Sequence, residues 1–157
     1  MYWLVLGIIL CFGAGAFFGA PYLPARRPDV EAALDLAELR PGEKLIDLGS
    51  GDGVVLIAAA KRGATAVGYE INPLLYAWSL LRTRRYRKQI TIYLRSYWRA
   101  QLPPADVIYT FLITHHMKQL DAKLSAELSR PARVVSYVFE LPRKAEKQNR
   151  NTFLYKY

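Results

Sequence analysis

Residues 45–53 read LIDLGSGDG, a short apolar run interrupted by one acid and followed by glycine at every second position. The first four residues suit a buried strand. Gly49, Gly51 and Gly53 suit a tight turn whose backbone comes close to a ligand, because glycine adopts positive φ and carries no Cβ to block the approach. Twenty-three positions after Asp47, a second apolar stretch, ATAVGYE, ends in Glu70. In a parallel α/β fold, an acid at the tip of the second strand binds ribose hydroxyls. The two features together indicate a nucleoside-containing cofactor.

The glycine spacing narrows the choice. A dinucleotide turn needs G-x-G-x-x-G, which sets the pyrophosphate on a helix N-terminus, and here the third glycine position holds Val54. A phosphate-binding loop needs Gly-Lys-Ser/Thr, which this stretch lacks. The pattern D-x-G-x-G-x-G resembles motif I of the seven-strand, class I methyltransferases. That resemblance implies S-adenosyl-L-methionine as cofactor, with its amine and carboxylate held by backbone groups and an acidic side chain.

The chain has 157 residues, a length for one domain. Residues 1–20 contain no charged side chain and, as a helix, would span roughly 30 Å, the hydrocarbon thickness of a bilayer. A cleaved signal peptide would carry a basic segment ahead of the apolar run, and none precedes it. Ala14-Gly15-Ala16 could serve as a cleavage site but lies inside the run. Arg26 and Arg27 follow at once, which by the positive-inside rule puts the rest of the chain in the cytoplasm. The expected organisation is therefore a transmembrane anchor over 1–20, a proline-broken linker over 21–28, and a catalytic domain over 29–157. Cys11 is the only cysteine and lies in the apolar run, so no disulfide framework exists. The net charge of +9 suits nucleic acid, anionic lipid or an acidic protein alike.

Patterning predicts alternating elements. A helix starting near Pro28-Asp29 presents Val30, Ala33, Leu34 and Ala37 on one face. Strands are expected at 44–48, 65–70, 90–94, 105–112 and 132–139, with a final strand over TFLYKY. Helices are expected at about 53–62, 73–87 and 117–129, and the polar run KAEKQNRN reads as loop. The alternation implies an α/β Rossmann-like parallel sheet with helices on both faces, shortened at its C-terminal end.

PYLP before the first helix, DLGSGDG, GYEINP, the Tyr-Trp pair after strand 3 and ARVVSYVFELP together resemble one family. It is the membrane-anchored protein lysine methyltransferases related to the mitochondrial enzymes that modify the adenine nucleotide translocase and the c subunit of ATP synthase. The resemblance places Asp47, Gly49 and Gly51 around the methionine part of the cofactor, with Ser50 and Asp52 in the same loop. It assigns the ribose hydroxyls to Glu70, with Ile71 next to it. Tyr22 is expected to fold over the pocket as a catalytic-site residue, or to serve as a core aromatic. Such enzymes often carry an acid facing the adenine amine after strand 3. Ser96 stands there, leaving adenine to Tyr97, Trp98 or backbone groups. Tyr109 and Phe111 share one face of strand 4, either as walls of an aromatic acceptor pocket or as core. No metal site is expected, and His115 and His116 read as surface or capping residues.

The implied function is methyl transfer from S-adenosylmethionine to a lysine amine of a membrane or membrane-proximal protein. Enzymes acting on base amines commonly carry an Asn/Asp-Pro-Pro-aromatic motif after strand 4. Here that position reads YTFLITHH, which argues against nucleic acid. A lipid or small-molecule acceptor, and a non-catalytic protein that only binds the cofactor, are the other readings.

Overall fold

The computed structural model describes residues 24–157. The proposed anchor over 1–20 and Tyr22 lie outside these residues. Among the described residues, no helix is long and apolar enough to cross a membrane.

The elements run α1 (Arg27–Leu36), β1 (Lys44–Leu48), α2 (Val54–Lys61), β2 (Thr65–Glu70), α3 (Pro73–Thr83), β3 (Ile90–Leu94), β4 (Val107–Thr110), α4 (Thr114–Glu127), β5 (Arg133–Tyr137), β6 (Lys147–Asn149) and β7 (Thr152–Lys156). They build one seven-stranded sheet in the order β3-β2-β1-β4-β5-β7-β6. The strands β1 to β5 pair in parallel, and β7 runs antiparallel to β5 and to β6. The chain reverses direction across the sheet between β1 and β4, and in such folds ligands bind at that switch point, beyond the strands' C-terminal ends.

Side-chain alternation along each strand divides the interior into two cores. Leu45, Ala66, Val107, Tyr109 and Val135 pack against α1 and α2. Ile46, Leu48, Ile108 and Val134 pack against Met117, Leu120 and Leu124 of α4. Central β1 and β4 are almost wholly buried, as strands covered on both faces must be.

Three expectations are corrected. The sheet is not shortened: the polar run expected to be loop supplies β6, which pairs as a hairpin with β7. Its side chains are all exposed, so it carries no apolar alternation to announce a strand. What is reduced is the helical cover. Only a short 3-10 turn, Tyr97–Arg99, lies between β3 and β4, and no helix lies between β5 and β6. The third helix, expected to reach Arg87, leaves α geometry at Thr83 and continues as the 3-10 turn Arg84–Tyr86. The fourth begins at Thr114, a turn earlier than its apolar stripe suggests, so His115 and His116 fall in its first turn.

Candidate active site

The loop after β1 has the backbone its glycines foretell. Gly49, Gly51 and Gly53 have φ of 97°, 51° and 78°. The Gly49 and Ser50 amides both donate to the Tyr69 carbonyl, at 3.0 and 2.8 Å, fastening the loop to the end of β2. Gly53 then starts α2 from a left-handed conformation, and a Cβ there would lie 3.1 Å from Thr83 Cγ2 and 3.3 Å from Ser79 Cβ. Both the turn and the seat of α3 need this glycine.

Gly68 is a site residue that sequence reasoning did not assign. A Cβ at this position would lie 2.6 Å from Ser50 Oγ and 2.7 Å from Leu56 Cδ1. Its absence lets the loop rest flush on β2. An isolated glycine inside a strand signals such close backbone approach, so GYE already carried the hint.

Glu70, 7% exposed, closes the crevice from the β2 side. Its Oε2 accepts from the Gly51 amide at 2.8 Å, and its Oε1 from the Ile71 and Asn72 amides at 2.9 and 2.7 Å. The carboxylate thus joins the two segments that the sequence singled out, and it retains acceptor capacity beyond three bonds. Asn72 in turn caps α3, accepting from the Leu74 and Leu75 amides. The Ile71 side chain is exposed beside it.

Asp52 faces the other way. Its carboxylate accepts from Arg82 and from the Val54 amide, and Arg82 also donates to its carbonyl at 3.0 Å. This ties the loop to α3 and balances one negative charge. Asp47 remains, 3% exposed. Burial above all, then the nearby charges of Glu70 and Asp52, push its carboxyl well above the usual range. A cation placed against this loop would favour the ionised form and offset that cost.

Register sets Asp47 between Gly68 and Tyr109, and Leu48 between Tyr69 and Thr110. Among the described residues, three buried side-chain oxygens have no hydrogen-bond partner: Ser50 Oγ, Tyr109 Oη and Thr110 Oγ1. All three belong to the tips of β1 and β4 or the loop between them and β2. Unpaired buried hydroxyls are costly, and a polar ligand in the crevice could reach Ser50 and Thr110 at the strand tips, whereas Tyr109 lies in the core. The open space around the Cα of Gly49 leaves room for it. A nucleoside bearing a positive charge fits this donor set, this space and this charge.

Beyond β3, Ser96 opens the 3-10 turn that carries Tyr97 and Trp98. Their rings lie 4.7 Å apart, and Trp98 approaches His116 at 5.8 Å. Burial raises the Tyr97 hydroxyl above its ordinary value. Tyr109 is buried in the α1/α2 core, whereas Phe111 is half-buried at the crevice end of the same strand. Phe111 meets Tyr137 edge-on at 4.9 Å and Phe139 face-on at 6.5 Å. Tyr137 Oη donates to Asp29 Oδ2 at 2.9 Å, bringing the start of α1 to the end of β5. Between the two aromatics, Val138 has φ of 72°, an outlier for a β-branched residue. Its amide donates to the Asn151 carbonyl, 2.6 Å away, which holds the bend. Tyr137, Phe139 and Asp29 were not singled out from sequence, although Tyr137 and Phe139 alternate in SYVF.

The strand order and the crevice define a class I methyltransferase fold built around S-adenosylmethionine. Residues 47–148 match the family model described as the ANTKMT methyltransferase domain, and the chain belongs to that family. It is 37% identical over 126 residues to the lysine N-methyltransferase of the ATP synthase c subunit from Homo sapiens, covering 78% of this chain and 53% of that protein. A protein-lysine N-methyltransferase of Saccharolobus islandicus is 32% identical over 148 residues, covering 87% of this chain and 92% of the relative. Among solved structures, an RNA methyltransferase from Salinibacter ruber in complex with S-adenosyl-L-homocysteine superposes with a TM-score of 0.79 at 28% identity, covering 86% of this chain and 92% of the other. The chain spans about half the length of the human enzyme and of its mouse, frog and rat counterparts.

Proposed function

We propose that this protein methylates the side-chain amine of lysine in a membrane or membrane-proximal protein. The observation that carries the reading is that two unlike half-sites lie at the same, C-terminal, end of the parallel strands. One is a carboxylate-rich glycine loop. The other is the aromatic group of Phe111, Tyr137 and Phe139, with the Asp29 carboxylate against it. Names of the human and Saccharolobus relatives support the amino acid acted upon.

In this account Asp47, the loop amides and Ser50 hold the methionine end of the cofactor, and Glu70 holds the ribose. The cofactor supplies an electrophilic methyl group on a sulfonium. The protein's main task is then to hold the acceptor in line, and positioning alone is worth up to about 7–11 kcal/mol in favourable systems. A lysine has an ordinary pKa of about 10.4 and must lose a proton to act as nucleophile. Phe111 and Phe139 exclude water around it, and desolvation disfavours its charged form. Aromatic faces still attract the ammonium on arrival. Asp29, held by Tyr137, places a carboxylate at the same end of the sheet.

The proposal extends to the organisation of the chain, with residues 1–20 as a single membrane anchor and the domain on the cytoplasmic side. Confining enzyme and target to one surface raises their effective concentration.

The name of the Salinibacter enzyme favours RNA as the second reading, and the net charge is compatible with it. Native membranes incubated with the full chain and methyl-labelled cofactor, followed by mass spectrometry, separate the two. Label on lysine of a membrane protein supports the proposal, and label confined to RNA or lipid overturns it.

A further inference from the structure

Helix α3 reverses the usual pattern of a surface helix, which turns its apolar stripe inward and its charges outward. Its buried positions include Ser79 and Thr83 beside Leu75. The small pair is required where the helix sits against Gly53, since the contact leaves no space for larger groups. Apart from Leu75 and the half-buried Tyr76, the large apolar residues face outward instead. Leu74, Trp78 and Leu81, spaced four and three apart, are 41%, 53% and 52% exposed. No charged residue occurs from Pro73 to Leu81. Ile71 extends the stripe towards the crevice, and exposed Leu94 lies at the end of β3, the edge strand on which α3 packs.

Cations follow at once. Arg82 turns inward to Asp52, but Arg84, Arg85, Arg87 and Lys88 are exposed on the next turn and a half. This combination selects the partner. A second copy of the chain would bring the same positive charge to the contact, and its repulsion argues against a homodimer. A bilayer with anionic headgroups offers an apolar layer for Leu74 and Leu81, and an interface where tryptophan is favoured. Its surface also attracts each nearby cation by about 1 kcal/mol.

We propose that α3 is a membrane-docking element, lying in the headgroup region of an anionic bilayer with Leu74, Trp78 and Leu81 entering the acyl boundary. The contact is separate from any anchor at residues 1–20. It also fixes orientation. Asn72, the cap of α3, donates its amide to Glu70, so docking sets the lip of the crevice at the bilayer surface. It requires neither a cofactor nor an acceptor, and its failure would leave the lysine reading untouched.

The test uses the full chain with Trp3→Phe and Trp98→Phe, leaving Trp78 as the only tryptophan. Vesicles contain phosphatidylcholine brominated on its acyl chains, with or without phosphatidylglycerol. The expected result is a loss of Trp78 emission by about twofold on anionic vesicles, much reduced on neutral ones and in high salt. The triple variant Arg84→Glu, Arg85→Glu, Arg87→Glu should abolish the loss. Quenching that is equal on neutral vesicles and indifferent to charge reversal would mean proximity imposed by the N-terminal segment, and would overturn the proposal. So would an unquenched Trp78 on protein that still floats with the vesicles, the result expected if an acidic protein or residues 1–23 cover this face. A nitroxide at Leu81→Cys in a Cys11→Ser background reads the same depth without altering the tryptophans. It must report acyl-chain contact if the proposal holds.

Discussion

The two halves of the candidate site are assembled differently. The cofactor half comes from a single β-loop-α unit and the tip of the next strand, so Asp47 to Glu70 span 24 consecutive residues. The acceptor half draws Asp29 from α1, Phe111 from the end of β4, and Tyr137 and Phe139 from the end of β5. The hydrogen bond from Tyr137 to Asp29 joins residues 108 positions apart. A locally built half depends on backbone conformation and on charge placed close by. A remotely built half depends on the whole sheet to bring its side chains into register. Substitutions should therefore divide cleanly between cofactor binding and acceptor turnover.

The largest effect is expected at Glu70. Replacing it with Ala leaves the Gly51, Ile71 and Asn72 amides without their acceptor and removes the proposed ribose ligand. With charge-assisted hydrogen bonds worth about 1.5–3 kcal/mol each, calorimetry should show S-adenosylhomocysteine affinity falling by about 100-fold or more. Unchanged affinity would break the comparison at its stronger side. Next, Gly68→Ala forces a methyl group into Ser50 and Leu56, and thermal unfolding should register a loss of about 1–3 kcal/mol, as overpacking typically costs.

Asp47→Asn should move two measurements in opposite directions. The Asp47 carboxyl is raised in the folded protein, so its contribution to stability is fullest at low pH and is lost as pH climbs through that raised value. The Asn variant escapes this loss, and the ligand-free protein should become more stable at neutral pH. Cofactor affinity should fall, by roughly tenfold if the charge is worth one pKa unit. In the wild-type protein, affinity for the cationic cofactor should increase with pH through the Asp47 titration, and the variant should lose that dependence.

The smallest effect belongs to the acceptor half. Tyr137→Phe removes one hydrogen bond to Asp29, worth about 1 kcal/mol. It should lower methyl transfer several-fold while S-adenosylhomocysteine binding stays as it was. A matching loss of cofactor affinity would show that the two halves are not separable.

The same contrast explains what could be read from the residues alone. The glycine loop, Glu70 and the strands β1 to β3 were legible because motif, turn chemistry and apolar runs are local signals. The pairing of Asp52 with Arg82 was not, because thirty positions separate them and either could have been solvated. Tyr137 and Phe139 looked like ordinary strand aromatics. Only the positive φ of Val138 and the position of Phe111 bring them together. The hairpin strand β6 escaped notice since all its side chains meet solvent, leaving backbone pairing with β7 as its only cause. The outward apolar face of α3 was hidden by its composition: with no charge from Pro73 to Leu81 to mark a solvent side, which stripe faces inward depends on the contact of Ser79 and Thr83 with Gly53.

The crystal structure of the protein with S-adenosylhomocysteine is the most direct measurement. The ribose hydroxyls should lie within hydrogen-bonding distance of Glu70, and the amino acid end against Asp47 and the Gly49–Gly51 backbone. Ser50 Oγ or Thr110 Oγ1 should gain a partner. A ligand bound elsewhere, with this crevice closed by the protein's own side chains, would contradict the account.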